Sequence, residues 1–145
     1  VPRRLADAGL PPGRVEVLPP LSRPEFLRRL GAGDVLLDTF PYNGMTTTCD
    51  ALFLGVPTVS LTGRSHVSRV GASLLGAAGL GDLVAPDDDG YVAAAAGLAA
   101  DVPRLRAVQA RLAESVARSP LGQGGELARK LEAVYAAMAA AGGRR

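Results

Sequence analysis

At 145 residues the chain has room for one domain with a real core and hardly for two. Its 48% hydrophobic and 21% charged residues carry a net charge of only +2, and its arginines lie scattered or in pairs such as Arg3/Arg4, without interleaved aromatics, which argues against a nucleic-acid surface. A single cysteine, Cys49, and a single histidine, His66, exclude an internal disulfide and a zinc site built from several Cys or His ligands.

The longest uncharged stretches, Ala51 to Gly63 and Val70 to Gly81, fall short of the ~20 residues that a membrane helix needs. No nucleophile-elbow pattern supports a Ser-His-Asp device around His66. The chain opens on Val1 without a signal-peptide pattern and reads as part of a longer, cytoplasmic protein.

In chain order, Val1 to Ala8 reads as one short helix-like segment. Val15–Leu18 is a mostly apolar run, stopped by Pro19-Pro20, and is predicted as a first strand. Ser22 stands at an N-cap position with Glu25 three residues on, the capping-box spacing, and Pro24 falls in the tolerant first turn. Phe26, Leu27 and Leu30 form that helix's apolar stripe, which Gly31 and Gly33 end. Val35-Leu36-Leu37 is a continuous apolar run of the kind a parallel sheet buries. The loop Thr39 to Gly44 leads into a helix over Thr47 to Leu54, closed by Gly55, and Pro57 opens a strand at Thr58 to Leu61.

A helix near Val67–Ala78 and a short run, Leu83-Val84-Ala85, come next. Asp87–Asp89 start a helix to about Ala100, and Asp101 to Ser119 makes another with Pro103 in its first turn. Leu127, Leu131, Val134 and Met138 mark one face of a last helix, offered as cover for the core. The closing Gly142-Gly143-Arg144-Arg145 is expected to fray. This alternation predicts an α/β fold, a parallel sheet flanked by helices with a helical C-terminus, in a single domain over 1–145.

Ligands of open parallel sheets bind beyond the carboxyl ends of strands, where loops enter helices. Here that loop runs from Asp38 through Gly44 to Thr46-Thr47-Thr48. Gly44 permits a tight turn, and three threonines in a first helical turn add hydroxyl donors to its free N–H groups, which together attract a phosphate. Asp50, one turn on, is placed to accept hydrogen bonds from ribose hydroxyls. On spacing alone, Thr46 as a plain cap and Asp50 as a plain complement to the helix dipole stand equal to that reading. Neither a Walker lysine nor a complete Gly-x-Gly-x-x-Gly follows a strand.

The stretch Asp34-Val35-Leu36-Leu37-Asp38-Thr39-Phe40-Pro41-Tyr42-Asn43-Gly44-Met45-Thr46-Thr47-Thr48-Cys49-Asp50 resembles the O-GlcNAc transferase/SPINDLY family of protein O-glycosyltransferases. Gly55-Val56-Pro57-Thr58-Val59, Ser68-Arg69-Val70-Gly71-Ala72-Ser73 and the Ser119-Pro120 step resemble it too, so the likeness runs from about Leu10 to Met138. The resemblance implies the C-terminal, Rossmann-like donor lobe of a GT-B enzyme. In such a lobe Thr46 and Thr47 contact the donor diphosphate, and Asp50 holds the ribose. Arg23 stands near the ribose, Leu21 and Arg29 near the base, and Tyr42, Asn43, Gly44 and Met45 on the sugar side. Met45 and Phe26 occupy positions where the O-GlcNAc branch commonly has histidine, and the Phe-Pro-Tyr and Thr-Thr-Thr-Cys wording is closer to SPINDLY, whose plant members use GDP-fucose.

The implied reaction is transfer of GlcNAc or a related sugar from a UDP-sugar or GDP-sugar to protein Ser or Thr, inverting, with no metal and no further cofactor. The partners are the nucleoside diphosphate sugar and a protein acceptor, with no nucleic acid or membrane. The family's phosphate-contacting lysine and acceptor-side groups lie upstream, so these residues alone are expected to fold without transferring sugar. A non-catalytic binding or scaffold module, and another sugar-nucleotide enzyme, are the alternatives. His66 is read as an exposed loop residue, and Cys49 as packing.

Overall fold

The computed structural model describes residues 2–11 and 13–142. Val1 of the first helical segment and residues 143–145 of the expected frayed end lie outside them; Gly142 closes a helix.

Helix α1 (Pro2–Asp7) precedes an irregular stretch. Val15–Leu18, predicted as a strand, pairs with no strand among the described residues: Val15, Val17 and Leu18 stand 40%, 53% and 38% exposed. The run carries Glu16 in its middle and ends on two prolines that have no N–H for a ladder, so neither burial nor pairing holds it. Helix α2 (Arg23–Gly31) begins at Ser22 as expected, but without the capping box. The Ser22 hydroxyl donates to Glu25 Oε2 at 2.7 Å, because a nearby carboxylate is a stronger acceptor than the hydroxyl is for a helix N–H.

Strands β1 (Leu36–Leu37), β2 (Thr58–Leu61) and β3 (Val84–Ala85) form a parallel sheet in that order. Leu36 stands opposite Thr58 and Leu37 opposite Val59; Ser60 and Leu61 face Val84 and Ala85. All four residues of β2 are buried, as befits a central strand covered on both faces. Between the strands run α3 (Thr46–Phe53) and α4 (Val70–Ala77), and α5 (Asp88–Ala100), α6 (Val102–Arg118) and α7 (Gly124–Gly142) follow. Asp87 and Asp101 cap α5 and α6, accepting from the N–H groups of Gly90 and Arg104 at 2.8 and 3.0 Å.

The core gathers Leu52 of α3, Val59 of β2, Leu75 of α4 and Leu98 of α5 against Leu105, Val108, Leu112 and Val116 on one stripe of α6. That cluster is closed without α7, which buries none of its residues and leaves Leu127, Leu131, Val134 and Met138 exposed. The expected cover for the core is therefore supplied by α6. No helix among the described residues is long and apolar enough to cross a membrane.

The helix expected near Val67–Ala78 is interrupted. A 3₁₀ turn, His66–Ser68, precedes α4, with Arg69 between them. The cause is Asn43. In a continuous helix the Val67 carbonyl would accept from the Gly71 N–H. Instead the Val67 carbonyl accepts from the Asn43 N–H at 3.0 Å, and the Gly71 N–H donates to Asn43 Oδ1 at 3.2 Å. One residue of the β1–α3 loop thus satisfies both groups that the missing helical bond would have joined.

Candidate functional site

The site is built where β1 runs out into the loop that enters α3. Asp38 directly follows the strand and is 7% exposed. Its Oδ1 accepts from the Thr39 N–H (2.9 Å) and the Gly44 N–H (2.7 Å), and its Oδ2 from the Ser60 hydroxyl (2.7 Å). Three donors hold a buried carboxylate and fix the loop's curvature from Thr39 to Gly44. A side chain at Gly71 would collide with Ser60 and with Asp38 Oδ2, so the start of α4 approaches this pair as only glycine can. Tyr91 donates to the Asp38 carbonyl at 2.9 Å, and its partial burial, then the Asp38 charge, push the phenol's pKa up.

Met45 takes the N-cap position of α3 and contributes no side-chain cap. The Cys49 N–H, bonded to the Met45 carbonyl at 3.0 Å, opens the helical ladder, so the N–H groups of Thr46, Thr47 and Thr48 precede it. Such a terminus attracts an anion. The three threonines are not equivalent. Thr46 is exposed and Thr47 half-buried, whereas Thr48 is fully buried, with no hydrogen-bond partner for its hydroxyl among the described residues. Thr48 is among the residues lining a small cavity of about 110 Å³, with Asp38, Gly44 and Thr47. Helical geometry turns consecutive residues ~100° apart, so a run of three cannot present all its hydroxyls to one ligand.

One turn into α3, Asp50 meets Arg23 from the first turn of α2. Arg23 Nη1 lies 2.7 Å from Asp50 Oδ2, and Nη2 lies 2.7 Å from Oδ1, a two-pronged pair. The hydrogen bond to Asp50 holds the guanidinium above even its ordinary pKa. Arg23 Cζ also sits 5.9 Å from the centre of the Phe26 ring, within cation–π range. Phe26 is half-buried, and Leu21 is half-buried just ahead of the helix. Arg29, on the exposed side of α2, reaches Glu16 Oε2 at 3.4 Å. Leu21, Arg23 and Asp50 therefore stand on the α2–α3 side of the site, and Arg29 turns toward the irregular stretch before α2. Cys49 sits beside Asp50; burial first, then that charge, raise its pKa, which keeps the thiol protonated and unreactive.

Of the residues expected on the sugar side, Tyr42 and Met45 are exposed, at 70% and 57%, and Gly44 is half-buried. Asn43 is 1% exposed and engaged inward on every side: besides Val67 and Gly71, its Nδ2 donates to the carbonyls of Thr39 (2.9 Å) and Leu61 (3.4 Å). It braces the loop and presents nothing to a ligand. His66 is exposed on the turn after β2 and lines a mostly apolar groove of about 590 Å³ with Met45, Arg69, Val70 and Ser73. A reciprocal capping box between Ser65 and Ser68 holds that turn. Nothing in the sequence marked it, since Ser is neither Glu nor Gln at the third position. Among the described residues no three His, Cys, Asp or Glu gather as metal ligands.

The chain is also similar to known proteins. Residues 1–131 match the family model described as Glycosyl transferase family 41. A tomato (Solanum lycopersicum) protein, named as a probable UDP-N-acetylglucosamine–peptide N-acetylglucosaminyltransferase SPINDLY, is 42% identical over 135 residues, covering 92% of this chain and 14% of that protein. The Caenorhabditis elegans UDP-N-acetylglucosamine–peptide N-acetylglucosaminyltransferase is 37% identical over 106 residues, 73% of this chain and 9% of its own length. Among solved structures, a Thermobaculum terrenum O-GlcNAc transferase mutant superposes with a TM-score of 0.78 at 38% identity, over 92% of this chain and 26% of that one. The chain thus spans about a seventh of the length of the plant relatives it matches. With its parallel sheet flanked by helices as a GT-B-like Rossmann lobe, the chain belongs to glycosyl transferase family 41, beside the SPINDLY and O-GlcNAc transferase proteins.

Proposed function

We propose that this chain is the donor-binding lobe of a protein O-glycosyltransferase, holding a nucleoside diphosphate sugar whose glycosyl group passes to a protein Ser or Thr. The observation that carries the proposal is the uncapped N-terminus of α3 set one helical turn from the Arg23–Asp50 pair. The diphosphate would lie at the N–H groups of Thr46 and Thr47 with their hydroxyls. The ribose would lie on Asp50: Arg23 uses one lone pair on each carboxylate oxygen, and each oxygen keeps another for a ribose hydroxyl. Leu21 and Arg29 would border the base.

Chemically, the lobe would stabilise the leaving group. As the glycosidic bond breaks, negative charge grows on the diphosphate, and fixed N–H dipoles at a helix end stabilise it without reorganising. On this reading acceptor binding would fall to another lobe, and these residues alone would bind donor without transferring it. The relatives' names specify UDP-N-acetylglucosamine and peptide, which supports a UDP-sugar and a hydroxyl of a protein acceptor.

Titration of the chain with UDP and GDP, beside a Thr47→Val variant, tests the reading. One of the two nucleotides should bind, and the variant should lose on the order of 1–3 kcal/mol of that affinity. Failure of both to bind, or equal binding by the variant, would overturn it.

A further inference from the structure

We propose that His66 is a specificity-determining residue that holds the sugar end of the donor, in the groove between the start of α3 and α4. The inference rests on the donor-site reading above and extends it to a residue outside the loop that contacts the diphosphate. A nucleoside diphosphate sugar has two ends with the diphosphate between them. On that reading, the paired Arg23 and Asp50 take the nucleoside end on the α2 side of α3. The groove on the other side of that terminus, toward α4, then offers room for the sugar end.

A cavity lies there. It measures about 590 Å³, within the range of small-ligand pockets, and its wall at the α3 end is Met45, the residue before Thr46. Val70 and Leu74 make it apolar, and His66, Arg69 and Ser73 supply the few polar groups. A second recess of about 80 Å³ shares Met45, His66 and Val70 with it and extends it to Tyr42. Met45 offers a deformable apolar surface to the face of a pyranose ring, while the imidazole offers hydrogen bonds to its hydroxyls.

His66 is also held in place, which an incidental loop residue need not be. The Ser65–Ser68 box brackets it, its carbonyl accepts from the Arg69 N–H at 3.0 Å, and the Gly63 N–H donates to the Ser68 carbonyl at 2.9 Å. The Arg69 guanidinium closes the turn on the Gly63 carbonyl at 3.3 Å.

The test compares affinity for bare nucleotide with affinity for its sugar conjugate, using UDP against UDP-N-acetylglucosamine and GDP against GDP-fucose. His66→Ala should leave bare nucleotide affinity unchanged and reduce affinity for the preferred conjugate about tenfold. Ser73→Trp, which fills the groove from an exposed position, should discriminate in the same way and more strongly. If both variants bind the conjugate as the parent does, or lose nucleotide and conjugate affinity equally, His66 does not hold the sugar and the donor-site reading survives. If the parent binds neither bare nucleotide, both proposals fall.

Discussion

Arg23 and Asp50, 27 residues apart in sequence, meet through two 2.7 Å contacts that tie the first turn of α2 to the second turn of α3. Lysine cannot reproduce that fork, so Arg23→Lys should lower nucleoside diphosphate affinity about tenfold despite keeping the charge. Asp50→Asn should do the same. The double variant should be no worse than either single one, because both break one unit. With Arg23 more than half exposed and the pair open to solvent, the stability change should be small. Titration and urea unfolding of the four proteins measure both effects; additive affinity losses would show that the two residues act separately.

That pair shows where the sequence was legible and where it was not. Helix positions followed from local chemistry: Asp87, Asp101 and Pro103 announced α5 and α6, and the glycine and threonines announced the turn into α3. Arg23 and Asp50 were both read as facing the nucleoside, but their mutual contact depends on how α2 packs on α3, which no local spacing encodes. Val15–Leu18 failed for the same reason: an apolar run becomes a strand only when a neighbour pairs with it. Thr48 was read with its neighbours as a ligand donor, although helical rotation alone turns it inward. Asn43, ahead of Gly44, reads as a turn residue, and its hydrogen bonds across to the far side of β2 are invisible without the fold.

The inward threonines offer a second prediction. Thr58 on β2 and Thr48 on α3 are fully buried, with hydroxyls that find no partner among the described residues. Valine has nearly the same shape and no group to desolvate, and in a strand it also packs well. Thr58→Val should raise stability by about 1 kcal/mol in urea unfolding. Thr48→Val should be neutral or stabilising and leave nucleotide affinity unchanged, in contrast to Thr47→Val. A destabilised Thr58→Val would mean that its hydroxyl has a partner in solution.

Alkaline pH should weaken the fold in two steps. Folding raises the pKa of Cys49 above the ordinary thiol value of 9.0, by burial and then by Asp50, and that of Tyr91 above 10.0, by burial and then by Asp38. The unfolded chain therefore loses each proton at lower pH than the folded one. Each group's stability contribution is complete below its ordinary value and disappears as pH rises through the folded one. Unfolding free energy should decline above about pH 9. Cys49→Ala should remove the earlier part of that slope and Tyr91→Phe the later part. Identical slopes in parent and variants would rule these groups out as the cause.

The sharpest structural prediction concerns Asn43. Its amide donates to Thr39 and Leu61 and accepts from Gly71, while its own N–H replaces a helical bond at Val67. Asn43→Ala removes the side-chain partners of three groups at once, in a place where the asparagine itself is 1% exposed. The loss should be on the order of 2–4 kcal/mol, the toll of stranding buried polar groups. Asn43→Asp separates the two halves of the role. The carboxylate still accepts from Gly71, but it faces the Thr39 carbonyl with an oxygen where a donor stood, and it adds a charge to the loop that already holds Asp38. It should be destabilised at neutral pH and recover as the pH falls and the carboxyl gains a proton to donate. Because this brace sets the loop that leads into Met45 and Thr46, both variants should also bind nucleotide less tightly. A fully stable Asn43→Asp protein at neutral pH would show that the donor half of the amide is dispensable, and that the break before α4 is held by Gly71 and Val67 alone.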